Sequence, residues 1–111
     1  MAVFYWRFRA SHVTVRFRNE SSLDLSRVTV SYRCGMQTGT DSVQHVLSGR
    51  SAALTFPSSG MASYSFVVTF SDGTTFTADE RLAFGGYHAT ESVSRSQSIY
   101  TADLFSSLFH E

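Results

Sequence analysis

Lysine is absent from the 111 residues, and cysteine, proline and asparagine occur once each, as Cys34, Pro57 and Asn19. An all-arginine basic set with almost no asparagine points to GC-rich coding sequence. A lone cysteine excludes an intramolecular disulfide, so the domain stands on its core and a reducing compartment is favoured. No run approaches the ~18 apolar residues that span a membrane. The opening Met1-Ala2-Val3-Phe4-Tyr5-Trp6-Arg7 lacks the basic start and long apolar core of a signal peptide. The expectation is a soluble cytoplasmic protein; a periplasmic or secreted one requires a leader outside these residues.

What is present is aromatic and short-range. Ten Phe, five Tyr and one Trp give 14% aromatic content, and 42% of the residues are hydrophobic. That suffices for one core in one domain, residues 1–111. Net charge is zero, but the halves differ. Up to Arg33 six arginines face two carboxylates, net +4; from Cys34 onward three face seven, net −4. Interleaved halves that balance internally explain this most simply; a polyanion-binding face is the sharper reading.

The dominant period is two. His12–Arg18 alternates Val13, Val15 and Phe17 with polar neighbours, and Arg27–Cys34 places Val28, Val30, Tyr32 and Cys34 on one side. Asn19–Ser22 reads as a turn and Gly35–Asp41 as a loop. Short strands are expected at Ser42–Leu47 and Ala52–Phe56, around a Ser48-Gly49 turn and before the Pro57–Gly60 turn. The strongest strand carries Tyr64, Phe66, Val68 and Phe70. It enters a two-residue Asp72-Gly73 hairpin turn and returns through Thr75–Ala78. A last strand spans Tyr87–Val93 and resumes near Gln97–Tyr100. Such spacing predicts an all-β fold, a single antiparallel β-sandwich of about seven strands. Residues 1–10 form an aromatic strand or arm. In the apolar tail, 102–111, Thr101 caps a short helix with Leu104, Phe105, Leu108 and Phe109 on one side.

The opening Asn19 to Tyr32, the turn Leu47 to Ser51, the hairpin Tyr64 to Gly73 and the late Gly85 to Tyr87 resemble small, mostly uncharacterised bacterial β-sandwich (immunoglobulin-like) proteins. The resemblance implies fold and no activity. Members are often exported or lipid-anchored, and this sequence shows neither a leader nor a lipobox cysteine.

The chemistry-bearing residues are sparse. His12, His45, His88 and His110 lack the three-to-five-residue spacing of metal ligands, so no metal and no cofactor is expected. Asp41, Ser42 and His45 are close in sequence, but on a strand Ser42 and His45 point to opposite faces. No catalytic residue is assigned, and Cys34 is expected as a buried, inert thiol. Gly35–Thr40 lacks the lysine and helix of a P-loop, and it and Gly85-Gly86 read as turns. Asn19-Glu20-Ser21 matches a glycosylation acceptor by chance. The expected function is a non-enzymatic protein-interaction module, of immunity or accessory type, with a protein partner or self-association through Phe4, Trp6, Phe8, Leu104, Phe105, Leu108 and Phe109. The alternative is a nucleic-acid or polyanion binder using Arg16, Arg18, Arg27 and Arg33, which share one surface if their strands pair. A small hydrolase is third.

Overall fold

The computed structural model describes residues 12–58 and 60–102. The described residues form eight strands: β1 (His12–Asn19), β2 (Leu25–Cys34), β3 (Gln37–Val46), β4 (Ser51–Pro57), β5 (Met61–Phe70), β6 (Thr75–Phe84), β7 (His88–Val93) and β8 (Ser98–Ala102). Two four-stranded sheets result, sheet A in the order β4-β1-β7-β8 and sheet B in the order β3-β2-β5-β6. The all-β sandwich is as the sequence predicts. One pairing departs from a purely antiparallel fold: β1 runs parallel to β7, with Val15 opposite Ala89.

Alternation places the core. Val13, Val15 and Phe17 of β1 face Tyr64, Phe66, Val68 and Phe70 of β5 across the sandwich, all buried. Phe17 meets Phe66 edge to face, with centroids 5.0 Å apart. The alternation breaks at two bulges. In β2 the register with β5 shifts between Leu25 and Arg27, and Ser26 bonds the Thr69 carbonyl at 3.0 Å. In β6 it shifts between the rungs Tyr64–Arg81 and Phe66–Ala78, so Asp79 and Glu80 share one position. A bulge reverses which side later residues face. Phe76 and Ala78 therefore point inward before it, and Arg81 and Ala83 after it, while Leu82 and Phe84 turn to solvent.

Three local expectations are corrected. The loop expected over Gly35–Asp41 shrinks to Gly35-Met36, because β3 begins at Gln37. The β5–β6 turn is not two residues long. Gly73 N–H donates to the Phe70 carbonyl and Phe70 N–H to Thr74, with Gly73 at φ +89, which is a type I turn closed by a left-handed glycine. The late strand resumes after Val93 as expected, as β8, and the correction lies at its end. Ala102 still pairs with Ala89, so Thr101 lies within a strand and does not cap a helix. The helix itself, with Leu104, Phe105, Leu108 and Phe109, lies outside the described residues, as do Phe4, Trp6 and Phe8 of the aromatic segment and His110.

Buried polar groups are satisfied locally. The Asn19 amide donates to the carbonyls of Leu23 (2.8 Å) and Val46 (3.0 Å), and its Oδ1 accepts from the Ser21 amide (3.0 Å) and hydroxyl (2.7 Å). A fully buried side chain with every site occupied pins the β1–β2 turn, and is no glycan acceptor. Gly39 is required by a neighbour: a Cβ there would collide with the Tyr32 ring, which stacks on Phe56 at 4.6 Å. Gly39→Val should displace that ring and cost about 1–3 kcal/mol, read as a lower urea midpoint with β circular dichroism retained. An unchanged midpoint would mean that Tyr32 moves aside freely.

Candidate functional site

Two polar constellations stand out, one outside the sandwich and one inside. The outer one follows from period two on β1. Because Val13, Val15 and Phe17 point inward, His12, Thr14, Arg16 and Arg18 form one outward row. The register sets Thr14 between Thr55 and His88, Arg16 between Ala53 and Thr90, and Arg18 between Ser51 and Ser92. Short side chains thus flank both arginines, which rise from a floor of hydroxyls and alanine. A shallow concavity of about 530 Å³ lies here, lined by Thr14, Arg16, Arg18, Ser51, His88 and Thr90. Among the described outward residues of sheet A, no strand carries a carboxylate. Glu20, just past β1, lies 3.5 Å from Arg18.

The inner constellation is a carboxylate in the core. Glu91 alternates with Ala89 and Val93 on the buried side of β7 and is fully buried. Arg81 clasps it two-pronged, Nε to Oε2 at 3.1 Å and Nη2 to Oε1 at 3.2 Å. Tyr64 donates to Oε2 at 2.6 Å and Ser98 to Oε1 at 2.7 Å. Four donors from three other strands converge on one carboxylate. Arg81 also donates to the Ser98 carbonyl at 3.0 Å, beneath the Tyr100 ring at 5.9 Å. Burial first, and then the Glu91 carboxylate, hold the Tyr64 phenol well above its usual range, so it remains a donor. The cluster joins β5 and β6 of sheet B to β7 and β8 of sheet A. Every polar atom in it is spoken for, which is the chemistry of a clamp rather than of a reacting centre.

The remaining candidates scatter. Arg16 and Arg18 lie on sheet A, Arg27 and Arg33 on sheet B. The single arginine surface is therefore wrong: β1 and β2 do not pair, and the two pairs occupy opposite outer faces. Internal balancing of the charged halves also fails at contact range. The ion pairs among the described residues, Arg18–Glu20, Arg81–Glu91 and Arg95–Asp72, each stay within one half of the sequence. Asp41, Ser42 and His45 sit exposed on edge strand β3, where Asp41 Oδ1 accepts the Ser42 amide at 2.8 Å. Cys34 is half-buried rather than buried, packed against the core with Sγ 3.8 Å from Ser58 Oγ. No group of three metal-ligating side chains occurs among the described residues. Sequence reasoning missed Glu91 and Arg81; the signal for Glu91 was a charged residue at an apolar position of an alternating strand, whereas the β6 bulge hides that of Arg81.

No known family model matches the chain, and no curated protein matches it. Among solved structures it is similar to a protein from Eubacterium rectale determined by NMR, with 14% identity and a TM-score of 0.62 over 83% of this chain and 88% of that one. That likeness supports the sandwich fold and nothing further. The human-specific toxin intermedilysin matches with a TM-score of 0.42 and 4% identity over 85% of this chain and 23% of its own. A structure described as a trapped toxin matches with a TM-score of 0.43 and 9% identity over 86% and 24%. The chain spans about a quarter of the length of these toxins, and at such scores neither bears on fold or function.

Proposed function

We propose that the protein is a non-enzymatic binding module, and that the outer face of sheet A is its binding surface for an anionic chain or anionic partner. One observation carries the reading: Arg16, Arg18, His12 and His88 share a four-stranded face whose described strands present no outward carboxylate. Arginine forks bind phosphate, sulfate and carboxylate in two-pronged fashion. The flanking Ser and Thr hydroxyls supply further hydrogen bonds, and their shortness lets a ligand approach both guanidinium groups. An immunoglobulin-like assignment belongs to the same proposal and is supported by two packed four-stranded sheets. No described helix is long and apolar enough to cross a membrane.

Heparin at low salt tests the proposal. The unmodified protein should be retained, and Arg16→Gln/Arg18→Gln should abolish retention. Arg27→Gln/Arg33→Gln, on the opposite face, should leave it largely intact. With an oligonucleotide as probe, each arginine lost from the face should lower the slope of log K against log salt by roughly 0.7–0.9. Glu20→Gln frees Arg18 and should tighten binding. Absence of retention for the unmodified chain would end this reading.

A further inference from the structure

We propose that the outer face of sheet B receives a second copy of this chain, face to face, about a two-fold axis running along β5. The inference is independent of the anionic-ligand reading and rests on different residues.

Solvent-facing apolar side chains are concentrated on this face. Among the described residues seven large hydrophobic side chains are exposed, and four of them, Met61 (58%), Val67 (38%), Leu82 (60%) and Phe84 (43%), point outward from neighbouring strands β5 and β6. Met61 and Phe84 are cross-strand partners, and Leu82 stands beside Ser63. Clustered apolar exposure marks an interaction site, whereas scattered exposure does not. The β6 bulge causes the clustering, because it turns Leu82 and Phe84 away from the core.

The charges on this face select the occupant. Arg33 lies on β2, on one side of β5, and Glu80 on β6, on the other; both line one shallow concavity floored by Ser31, Ser63 and Ser65. Among the described residues neither side chain makes an ion pair. A two-fold axis along the middle strand exchanges the two sides, so Arg33, level with Ser63, lays its methylenes over Leu82 of the other copy and its guanidinium reaches one same-face rung toward that copy's Glu80. The face is thus complementary to itself, as an isologous interface requires. The serine floor lets the two sheets approach at the usual ~10 Å of stacked sheets. Three strands of ten residues make a patch of about 14 by 33 Å, on the order of 500 Å² per copy. That is the low end of specific interfaces, so the dimer should depend on concentration.

Light scattering and sedimentation equilibrium of the full chain over a concentration series test this. A reversible monomer–dimer equilibrium is expected. Leu82→Asp should abolish it. Glu80→Arg or Arg33→Glu alone should weaken it by about tenfold or more, and the combined exchange Arg33→Glu/Glu80→Arg should restore it. All three positions face solvent, and circular dichroism checks that each variant keeps the fold. A chain that stays monomeric throughout overturns the proposal. So does a dimer that persists unchanged in Leu82→Asp, or an exchange that restores nothing; the former would place the contact in another surface or in the terminal segments.

Discussion

Glu91→Ala should be among the most damaging single substitutions in the described residues, lowering stability by about 3–5 kcal/mol. The loss does not measure what the ion pair contributes. It arises because Arg81, whose side chain is only 18% exposed, would remain largely buried with no carboxylate against it. Tyr64 and Ser98 would lose their acceptor at the same stroke. Tyr64→Phe removes one donor of four and should cost less, about 1–3 kcal/mol. The decisive comparison is Glu91→Leu with Arg81→Met, which removes both charges and keeps apolar volume. Buried ion pairs are often replaced this way at little cost, so the double variant should be more stable than Glu91→Ala. Urea denaturation of the set checks the order. If Glu91→Ala loses less than about 1 kcal/mol, the clamp does not hold the sheets together.

Phe66→Ala should cost a similar amount, about 3–5 kcal/mol, by a different route. The ring is buried, packs edge to face on Phe17 at 5.0 Å and lies over Tyr64 at 6.4 Å. Deleting it empties the middle of the interface between sheets, where neither backbone can move in to fill the gap. The cost is therefore the transfer free energy plus a cavity. Domains of this size are stable by only about 5–15 kcal/mol, so the variant should melt far earlier. A midpoint close to that of the unmodified protein would show that the core closes over the lost ring.

Both sites bear on what the sequence makes legible. Phe66 is readable because Tyr64, Phe66, Val68 and Phe70 alternate without interruption, and β1 and most of β2 are readable for the same reason. The first half of β3 is not. Gln37-Thr38-Gly39-Thr40-Asp41 is an edge segment with almost nothing to bury, so its composition is that of a loop although its backbone pairs with β2. The end of β6 is hidden differently: a bulge changes the parity, and no single-phase alternation fits Phe76, Ala78, Arg81 and Ala83 together. Glu91 was available in principle, lying on the buried parity of Ala89 and Val93. Arg81 could not be matched to it without the bulge. The arginines were found as an outward-facing type, but their division between faces depends on which strands pair. That is settled by contacts distant in sequence.

The parallel pairing of β1 with β7 bears on how the chain is made as well as on its final shape. β1 leaves the ribosome before the other described strands, and its partner around Ala89 is translated more than seventy residues later. Until then Val13, Val15 and Phe17 have only the β4 side of their sheet to join. Sheet B, by contrast, assembles from neighbouring hairpins, β2 with β3 and β5 with β6. Local hairpins close quickly, and long-range strand pairing closes slowly. Sheet B therefore offers a template early, and sheet A is completed only when the C-terminal strands arrive. An aggregation-prone interval is built into synthesis: during it, the apolar side of β1 awaits a partner not yet made.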